Sequence, residues 1–165
     1  MAEELQTERL RLRPWRDSDH PLLAKFYASE ESRFVGGPLD ADDAWRRMAM
    51  FAGHWALRGF GNWVIEEKAS GQQAGYAGLW HPFGWPEREI IWILFDGYRG
   101  KGYATEAARG ARAHAYHRHG WPTAVSYISP DNHASESVAK RLGAQREAQI
   151  TLRGHATDVW RHPPP

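Results

Sequence analysis

A glycine-rich segment, residues 99–105, carries the clearest chemistry in this sequence. It follows an apolar run, residues 90–95, that is typical of a buried strand, and it precedes an alanine-rich helical pattern that reaches His119. The first amides of a helix have no partner within the helix, and they carry the positive end of its dipole. Glycines without Cβ let an anion approach such amides closely. The segment therefore predicts a site for a phosphate or a pyrophosphate.

The spacing of the glycines decides between the known kinds of phosphate loop. A Walker loop needs Gly-Lys-Ser/Thr, but Gly100-Lys101 is followed by Gly102. A dinucleotide loop needs G-x-G-x-x-G/A with an acidic residue about 20 positions later, and this segment breaks that spacing and lacks the acid. The pattern that remains is Arg99-x-x-Gly102-x-Ala104. Its other interpretation is an ordinary turn between a strand and a helix, with solvated Arg99 and Lys101.

This remaining pattern resembles the acyl-CoA pyrophosphate loop of the GNAT family of N-acetyltransferases. The longer string at residues 98–107, Tyr-Arg-Gly-Lys-Gly-Tyr-Ala-Thr-Glu-Ala, is similar to the RimJ/RimL-like branch of that family. A second motif supports the resemblance. Asn132-x-x-Ser135, followed by Arg141-Leu142-Gly143, is similar to the segment that comes after the next strand in the family. The resemblance extends over nearly the whole chain.

The resemblance implies an α/β (α+β) architecture, the GNAT acyl-CoA N-acyltransferase fold. Helices flank a central, mixed, mostly antiparallel sheet, and the elements follow the order β-α-α-β-β-β-α-β-α-β-β. In that fold the strand before the glycine loop and the strand after the next helix splay apart at a bulge. The pantetheine arm of acyl-CoA enters the space and pairs with the backbone of the first of these strands. This places Trp92, Ile93 and Leu94 near the thioester.

The resemblance also implies an activity, the direct transfer of an acetyl group from acetyl-CoA to the primary amine of a small molecule or of a protein N-terminus. Glu89 is the expected base, with a solvated carboxylate at a strand end as its equally open alternative. Ser135 is the expected hydroxyl acid, and it could also cap the following helix. The residues expected to bind acetyl-CoA are Trp92, Ile93, Leu94, Arg99, Gly100, Lys101, Gly102, Tyr103, Ala104, Thr105, Asn132 and Ser135.

The acceptor is the least determined part of this prediction. Glu30 and Glu31 lie in a loop between two predicted helices, and Trp80 and Trp85 lie beside a turn. Acidic and aromatic side chains suit a small cationic or neutral amine with an apolar body, including by cation–π contact. Protein N-termini, amino acids, polyamines and antibiotics all remain open as acceptors.

The composition limits the alternatives. The chain has 165 residues, the length of one domain, and we expect a single domain over residues 1–165. A net charge of +1 gives no overall attraction for nucleic acid or for an anionic membrane. The absence of cysteine excludes a disulfide framework, a thiolate metal site and an acyl-cysteine intermediate. Without a long apolar run or a basic, apolar leader, the sequence predicts a soluble, cytoplasmic protein, monomeric or homodimeric.

Two other kinds of catalytic site receive little support. His114, His117 and His119 could suggest a metal, but the H-E-x-x-H pattern is absent, so we expect no metal cofactor. No serine lies in a Gly-x-Ser-x-Gly frame, so a serine hydrolase is not expected. A non-catalytic acyl-CoA sensor that keeps the phosphate loop remains open as an alternative function.

Local patterns place the other elements of the fold. Alternating leucine and arginine predict a first strand at residues 7–14, and Pro21 precedes a first amphipathic helix. Residues 29–40 show no period and are predicted to be a loop. A second helix is predicted from the cap region at residues 40–43 to Gly59 or Gly61. The remaining predicted elements are strands at 63–68, 73–80, 125–128, 145–152 and 157–161, and a helix at 134–142.

Overall fold

The computed structural model describes residues 3–165, which form an eight-stranded sheet flanked by four α-helices. The strand order is β1-β2-β3-β4-β5-β6-β8-β7, and every neighbouring pair is antiparallel except the parallel pair β5–β6. The predicted mixed, mostly antiparallel sheet is therefore confirmed. The strands are β1 (Leu5–Gln6), β2 (Leu10–Arg13), β3 (Asn62–Glu67), β4 (Gln73–Trp80), β5 (Glu89–Leu94), β6 (Val125–Ile128), β7 (Gln145–Leu152) and β8 (His155–Arg161). The helices are α1 (His20–Tyr27), α2 (Ala41–Arg58), α3 (Tyr103–His119) and α4 (His133–Arg141).

The structure differs from the predicted elements near the N-terminus. The predicted first strand is shortened to β2, and a two-residue strand, β1, pairs with it in front. Two residues are too few to form a periodic pattern, so β1 could not be predicted from periodicity. The predicted loop at residues 29–40 contains a 3₁₀ helix, Glu30–Val35. Short 3₁₀ turns need no sustained hydrophobic period, because they bury little surface.

The helix boundaries follow local capping chemistry. The side chain of Asp40 accepts a hydrogen bond of 2.8 Å from the Asp43 amide and so caps α2. Gly59, in the left-handed region at φ 77°, ends the same helix, as predicted. In residues 3–165 none of the helices combines the length and the apolar character that a bilayer span requires.

The sheet separates two hydrophobic clusters. One cluster lies under α3, whose small side chains let the helix approach the sheet closely. The other lies under α1 and α2 and is rich in aromatic rings. The predicted alanine face of α3 is confirmed, because all its members are buried: Ala104, Ala107, Ala108, Ala111 and Ala115.

The central strands β4 and β5 pair without interruption. Their register runs from Gly75 opposite Leu94 to Trp80 opposite Glu89, and this ladder carries no bulge. Gly75, at φ 152°, makes the close approach possible, since a Cβ there would lie 2.0 Å from the backbone oxygen of Ile93. The position of β5, on which the site is built, therefore depends on this glycine.

We expect Gly75→Ala to destabilise the protein by about 3 kcal/mol, because the added methyl group would push β4 away from β5. Gly71→Ala is the matched control. Gly71 also has a positive φ, of 70°, but a Cβ there meets nothing within 4 Å. Gly71→Ala should lower the free energy of unfolding by only about 1 kcal/mol, through backbone strain. Urea unfolding measures both changes, and equal losses of stability would show that the close approach at Gly75 is unimportant.

Candidate active site

The glycine-rich segment forms the predicted turn at the start of α3. Gly100 and Gly102 adopt positive φ values of 75° and 79°, and Gly102 is the residue that precedes the helix. The first backbone hydrogen bond of the helix runs from the Glu106 amide to the Gly102 oxygen, at 3.0 Å. The amides of Tyr103, Ala104 and Thr105 therefore have no partner within the helix. We call residues 99–105 the donor loop.

The basic side chains of the donor loop already contact acidic residues. Arg99 donates two hydrogen bonds, of 3.1 and 2.8 Å, to the two carboxylate oxygens of Glu31. Lys101 is half-exposed, and its ammonium lies 3.9 Å from Glu67. Both side chains are about half-exposed, and each also contacts a carboxylate. Arg99 connects the loop to the segment between α1 and α2.

Arg9 is a further basic residue at the donor loop that sequence reasoning missed. Its guanidinium donates to the backbone oxygen of Lys101 at 2.8 Å and to Glu106 at 2.7 Å. It also lies 4.7 Å from the centre of the Tyr103 ring. Arg9 reaches the loop from the turn between β1 and β2, and no local pattern could have identified it.

The parallel strands β5 and β6 part almost immediately. Their pairing consists of a single Cα pair, Glu89 opposite Val125. The Val125 amide donates to the backbone oxygen of Arg88 at 3.1 Å, and no further residue pair follows in this ladder. The implied splay is thus present. We call the space between the two strands beyond this pair the β5–β6 gap.

The backbone N–H and C=O groups of successive β5 residues point alternately towards β4 and towards the gap. The Phe95 amide donates to Ala74 on β4, so Ile93, two residues earlier, also directs its backbone groups towards β4. Trp92 and Leu94 consequently direct theirs towards the gap. Two of the three residues predicted to lie near the thioester thus offer backbone groups there, and Ile93 does not. The indole nitrogen of Trp92 is also buried without a hydrogen-bond partner among the described residues.

Glu89 lies at the closed end of the gap, and it is buried. Only 5% of its surface is exposed, which rules out the alternative of a solvated carboxylate at a strand end. One carboxylate oxygen accepts a hydrogen bond from the Tyr127 amide at 3.0 Å, and the other accepts one from the Trp85 indole at 2.7 Å. Burial raises the pKa of Glu89 to about 8, although the hydrogen bonds from Tyr127 and Trp85 favour the charged form.

Aromatic side chains cover Glu89. The rings of Trp85 and Tyr127 meet edge to face at 6.0 Å. The guanidinium of Arg153, from the turn between β7 and β8, lies 5.3 Å from the Trp85 ring. Trp85 was a predicted pocket residue, and the structure brings it to the expected base. Tyr127 and Arg153 were missed because only the folded sheet brings β6 and the β7–β8 turn to Trp85.

The other residues expected at the acceptor lie elsewhere. Trp80 is only 7% exposed and stacks on His54 at 4.6 Å, so it is a core residue under α2. Glu31 is held by Arg99, and Glu30 is exposed in the 3₁₀ helix. The expected cluster of two acids and two tryptophans therefore does not form as a unit. Trp80 and Trp85 differ because Trp80 ends a strand whose neighbours bury it, whereas Trp85 lies in the following loop.

The second motif begins α4. Asn132 is the capping residue, since its side-chain oxygen accepts a hydrogen bond of 3.2 Å from the Ser135 amide. Ser135 therefore is not the cap, and its partly exposed hydroxyl is not required for helix initiation. The alternative structural role that the sequence left open for Ser135 is thus taken by Asn132.

The histidines of α3 pack with one another and with aromatic rings. His114 and His119 meet edge to face at 5.1 Å, and His114 also meets Trp63 at 5.4 Å. Within residues 3–165, no three His, Cys, Asp or Glu side chains come together in a way that could hold a metal ion.

Comparisons with known proteins agree with this geometry. A family model for the acetyltransferase (GNAT) domain matches residues 9–145. The crystal structure of an acetyltransferase from Agrobacterium tumefaciens str. C58 is 36% identical, with a TM-score of 0.91 over 98% of this chain and 94% of that chain. Bacillus subtilis YkkB is 27% identical over 85% of this chain and 84% of its own length. The ribosomal L7/L12 alpha-N-protein acetyltransferase RimL, in complex with coenzyme A, shares the fold, with a TM-score of 0.78 at 19% identity over 97% of each chain.

The family match includes β5, the donor loop and the start of α4, which are the elements that form the site. It also spans most of the sequence. This protein therefore belongs to the GNAT family of acetyltransferases.

Proposed function

We propose that this protein is an N-acetyltransferase that moves the acetyl group of acetyl-CoA directly to a primary amine, of a small molecule or of a protein N-terminus. One observation carries the proposal. The β5–β6 gap has a buried carboxyl group, Glu89, at its closed end and a loop of unpaired helix amides after the open end of β5.

The residues present fit acetyl-CoA. The amides of Tyr103, Ala104 and Thr105 suit a pyrophosphate, and a Cβ built on Gly100 meets nothing within 4 Å, so space lies in front of the loop. The backbone groups of Trp92 and Leu94 suit the extended arm of the donor, which would pair with them as a strand does. The Thr105 hydroxyl and the Trp92 indole nitrogen are buried without partners among residues 3–165. When bound, acetyl-CoA supplies the thioester carbonyl that the amine attacks.

Glu89 is suited to accept a proton from the amine, directly or through water. An unperturbed amine has a pKa near 10 and is mostly protonated at neutral pH, so its activation requires a base. A pKa of about 8 keeps Glu89 close to the working pH. Proton transfer is most efficient when the pKa of the base lies near that pH.

Ser135 is the proposed donor of a proton to the departing thiolate. Its hydroxyl lies at the start of α4 and is not needed to cap that helix. Because a thiolate leaves readily even without assistance, the contribution of Ser135 should be smaller than that of Glu89. The chain has no cysteine, so an acyl-cysteine cannot form and transfer is direct.

The acceptor amine would approach Glu89 beside the rings of Trp85 and Tyr127. Aromatic faces favour an amine with an apolar body or a cationic group. The name of the RimL structure describes an enzyme that acts on the α-amino group of a ribosomal protein, which supports a protein N-terminus as one acceptor class. Release of CoA with a panel of small amines and N-terminal peptides would distinguish the two classes. No release with any member, despite binding of acetyl-CoA, would favour a sensor.

We expect Gly102→Asn to weaken CoA binding at least about tenfold, which is about 1.4 kcal/mol. Asn tolerates the left-handed backbone at this position, but its side chain would occupy the space before the helix amides. Gly120→Asn is the matched control, because Gly120 also has a positive φ, of 61°, and ends the same helix. Calorimetry with CoA measures both variants. Unchanged affinity in Gly102→Asn would contradict the assignment of the loop.

We expect kcat/KM to rise with pH and to level off above about pH 8, since Glu89 is protonated below its pKa and cannot act as a base. An acceptor amine with a low pKa should be used, so that its own deprotonation does not contribute. Glu89→Gln should lower kcat by about 10²–10⁴-fold and remove this rise. Glu87→Gln is the control, because Glu87 pairs with Arg161 instead. If kcat/KM of Glu89→Gln depended on pH as it does in the wild type, Glu89 would be excluded as the base.

We expect Trp85→Phe to move the midpoint of this profile to higher pH. The indole hydrogen bond stabilises the charged form of Glu89, so its loss raises the pKa, while the phenyl ring preserves the contact with Tyr127. Tyr127→Phe keeps the backbone amide that donates to Glu89 and should leave the midpoint in place. The same midpoint in Trp85→Phe and in the wild type would show that the indole does not stabilise the charged carboxylate.

A further inference from the structure

The point at which β5 and β6 part can be defined group by group. In a parallel ladder the backbone hydrogen bonds follow one another at even spacing. The single pair, Glu89 opposite Val125, includes a bond of 3.1 Å from the Val125 amide to the Arg88 oxygen. The next bond from an amide of β6 would join the Tyr127 amide to the Ile90 oxygen. The ladder does not continue to this point, since Glu89 opposite Val125 is its single pair.

Side chains occupy both groups. The Tyr127 amide donates to the carboxylate of Glu89 at 3.0 Å, and the Ile90 oxygen accepts from the hydroxyl of Ser126 at 2.6 Å. The Tyr127 amide and the Ile90 oxygen thus each have a side-chain partner, and neither is left unpaired in a buried position. The strands can therefore separate at this position without the usual cost of buried, unpaired backbone groups.

The direction of the Ser126 hydrogen bond is fixed by two further residues. His162 Nε2 lies 2.9 Å from the Ser126 hydroxyl oxygen, and His162 Nδ1 lies 3.2 Å from Nη1 of Arg112. A guanidinium can only donate, so Nδ1 must accept and Nε2 of the neutral ring must carry the proton. The Nε2 proton is then donated to Ser126, and the hydroxyl proton of Ser126 remains for Ile90.

This hydrogen-bond chain of Arg112, His162 and Ser126 is buried and tied to several elements. Ser126 and His162 are each 2% exposed, and burial lowers the pKa of His162 to about 3, so the ring is neutral near pH 7. Arg112, on α3, also donates to the backbone oxygen of Leu142 after α4, at 2.6 Å. The His162 amide donates to the Ala124 oxygen at the start of β6, at 3.0 Å.

We propose that Ser126, oriented by His162 and Arg112, is a positioning residue that holds the β5–β6 gap open for the acyl donor. Because Ser126 occupies the Ile90 oxygen, the next backbone groups of β5 that face the gap belong to Trp92. This hydrogen-bond chain therefore determines where along β5 the acyl donor begins to pair. The inference rests on the proposed function, since it assumes that acyl-CoA occupies this gap.

The first test is Ser126→Ala. Without the hydroxyl, the buried Ile90 oxygen lacks its side-chain donor and competes with Glu89 for the Tyr127 amide, so the next bond of the ladder can form and narrow the gap. We expect about tenfold weaker binding of acetyl-CoA by calorimetry, and a matching rise in the KM for acetyl-CoA with little change in the KM for the amine. Ser126→Thr keeps a hydroxyl and should restore part of the affinity. Ser137→Ala, on the exposed side of α4, is the control.

The two proposals fail in different ways. If the folded wild-type protein does not bind acetyl-CoA, the proposed function fails and this inference fails with it. If the wild type binds and folded Ser126→Ala binds equally well, only the positioning role is overturned.

A second test does not depend on Ser126→Ala being folded. In the wild type, ¹⁵N NMR should show the proton of His162 on Nε2, and a proton on Nδ1 would overturn the proposed direction of the chain. His162→Gln keeps an N–H donor for Ser126, whereas His162→Leu does not. We expect His162→Gln to bind acetyl-CoA about as well as the wild type and His162→Leu to bind several-fold more weakly. Equal affinities of these two variants would also overturn the proposal.

Discussion

The unmade hydrogen bond between Tyr127 and Ile90 is the constraint on which the rest of the site depends. Two strands inside a sheet normally pair along their whole length, because buried backbone groups without partners are costly. Here β5 and β6 can separate early because each of them is paired with a second strand on its other side. β5 has six pairs with β4, and β6 has four pairs with β8. The alanine face of α3 packs under β4 and β5, and α4 packs against β6. The gap is therefore an opening between two supported parts of one sheet, with backbone groups of β5 directed into it.

The burial of Glu89 at this opening has a thermodynamic consequence. Its pKa in the folded protein is about 8, above the ordinary 4.5 that an unfolded chain would show. Between these values the folded protein binds a proton that the unfolded chain has lost, so the contribution of this group to stability falls as pH rises through the window. Among residues 3–165 no cation pairs with the carboxylate, and both of its hydrogen-bond donors, the Tyr127 amide and the Trp85 indole, are neutral. Burial thus lowers stability in this window, and it gives the proposed base a pKa near neutrality.

Local chemistry made much of the fold predictable. The cap at Asp40, the end of α2 at Gly59 and the alanine face of α3 all follow from residues within a few positions of one another. The donor loop was predictable for the same reason, because glycine spacing and the helix start lie in one short segment. Asn132 shows the limit of this approach. Its motif was visible, but the sequence could not tell whether Asn132 or Ser135 supplies the cap.

The features that were missed depend on contacts between distant residues. Arg9 reaches the donor loop from 92 positions away, and His162 reaches Ser126 from 36 positions away. The burial of Glu89 follows from Trp85 and Tyr127, which approach it only when β5 and β6 lie side by side. The separation of the strands was implied by the family resemblance alone. At the Tyr127 amide and the Ile90 oxygen, side chains take the place of backbone partners, and no periodicity or spacing reports such an exchange.

Glu89 links the shape of the gap to its chemistry. A carboxylate has about four positions for accepting hydrogen bonds, and the Tyr127 amide and Trp85 indole occupy two of them. The first bond keeps β6 from closing on β5, and the remaining positions can accept the proton of an amine. An apolar residue at this place would leave the Tyr127 amide free to pair with Ile90, whereas an exposed carboxylate would keep an ordinary, low pKa. One buried acid at the first position of β5 therefore meets both requirements, because the same hydrogen bond that separates the strands also holds the proposed base at the closed end of the gap.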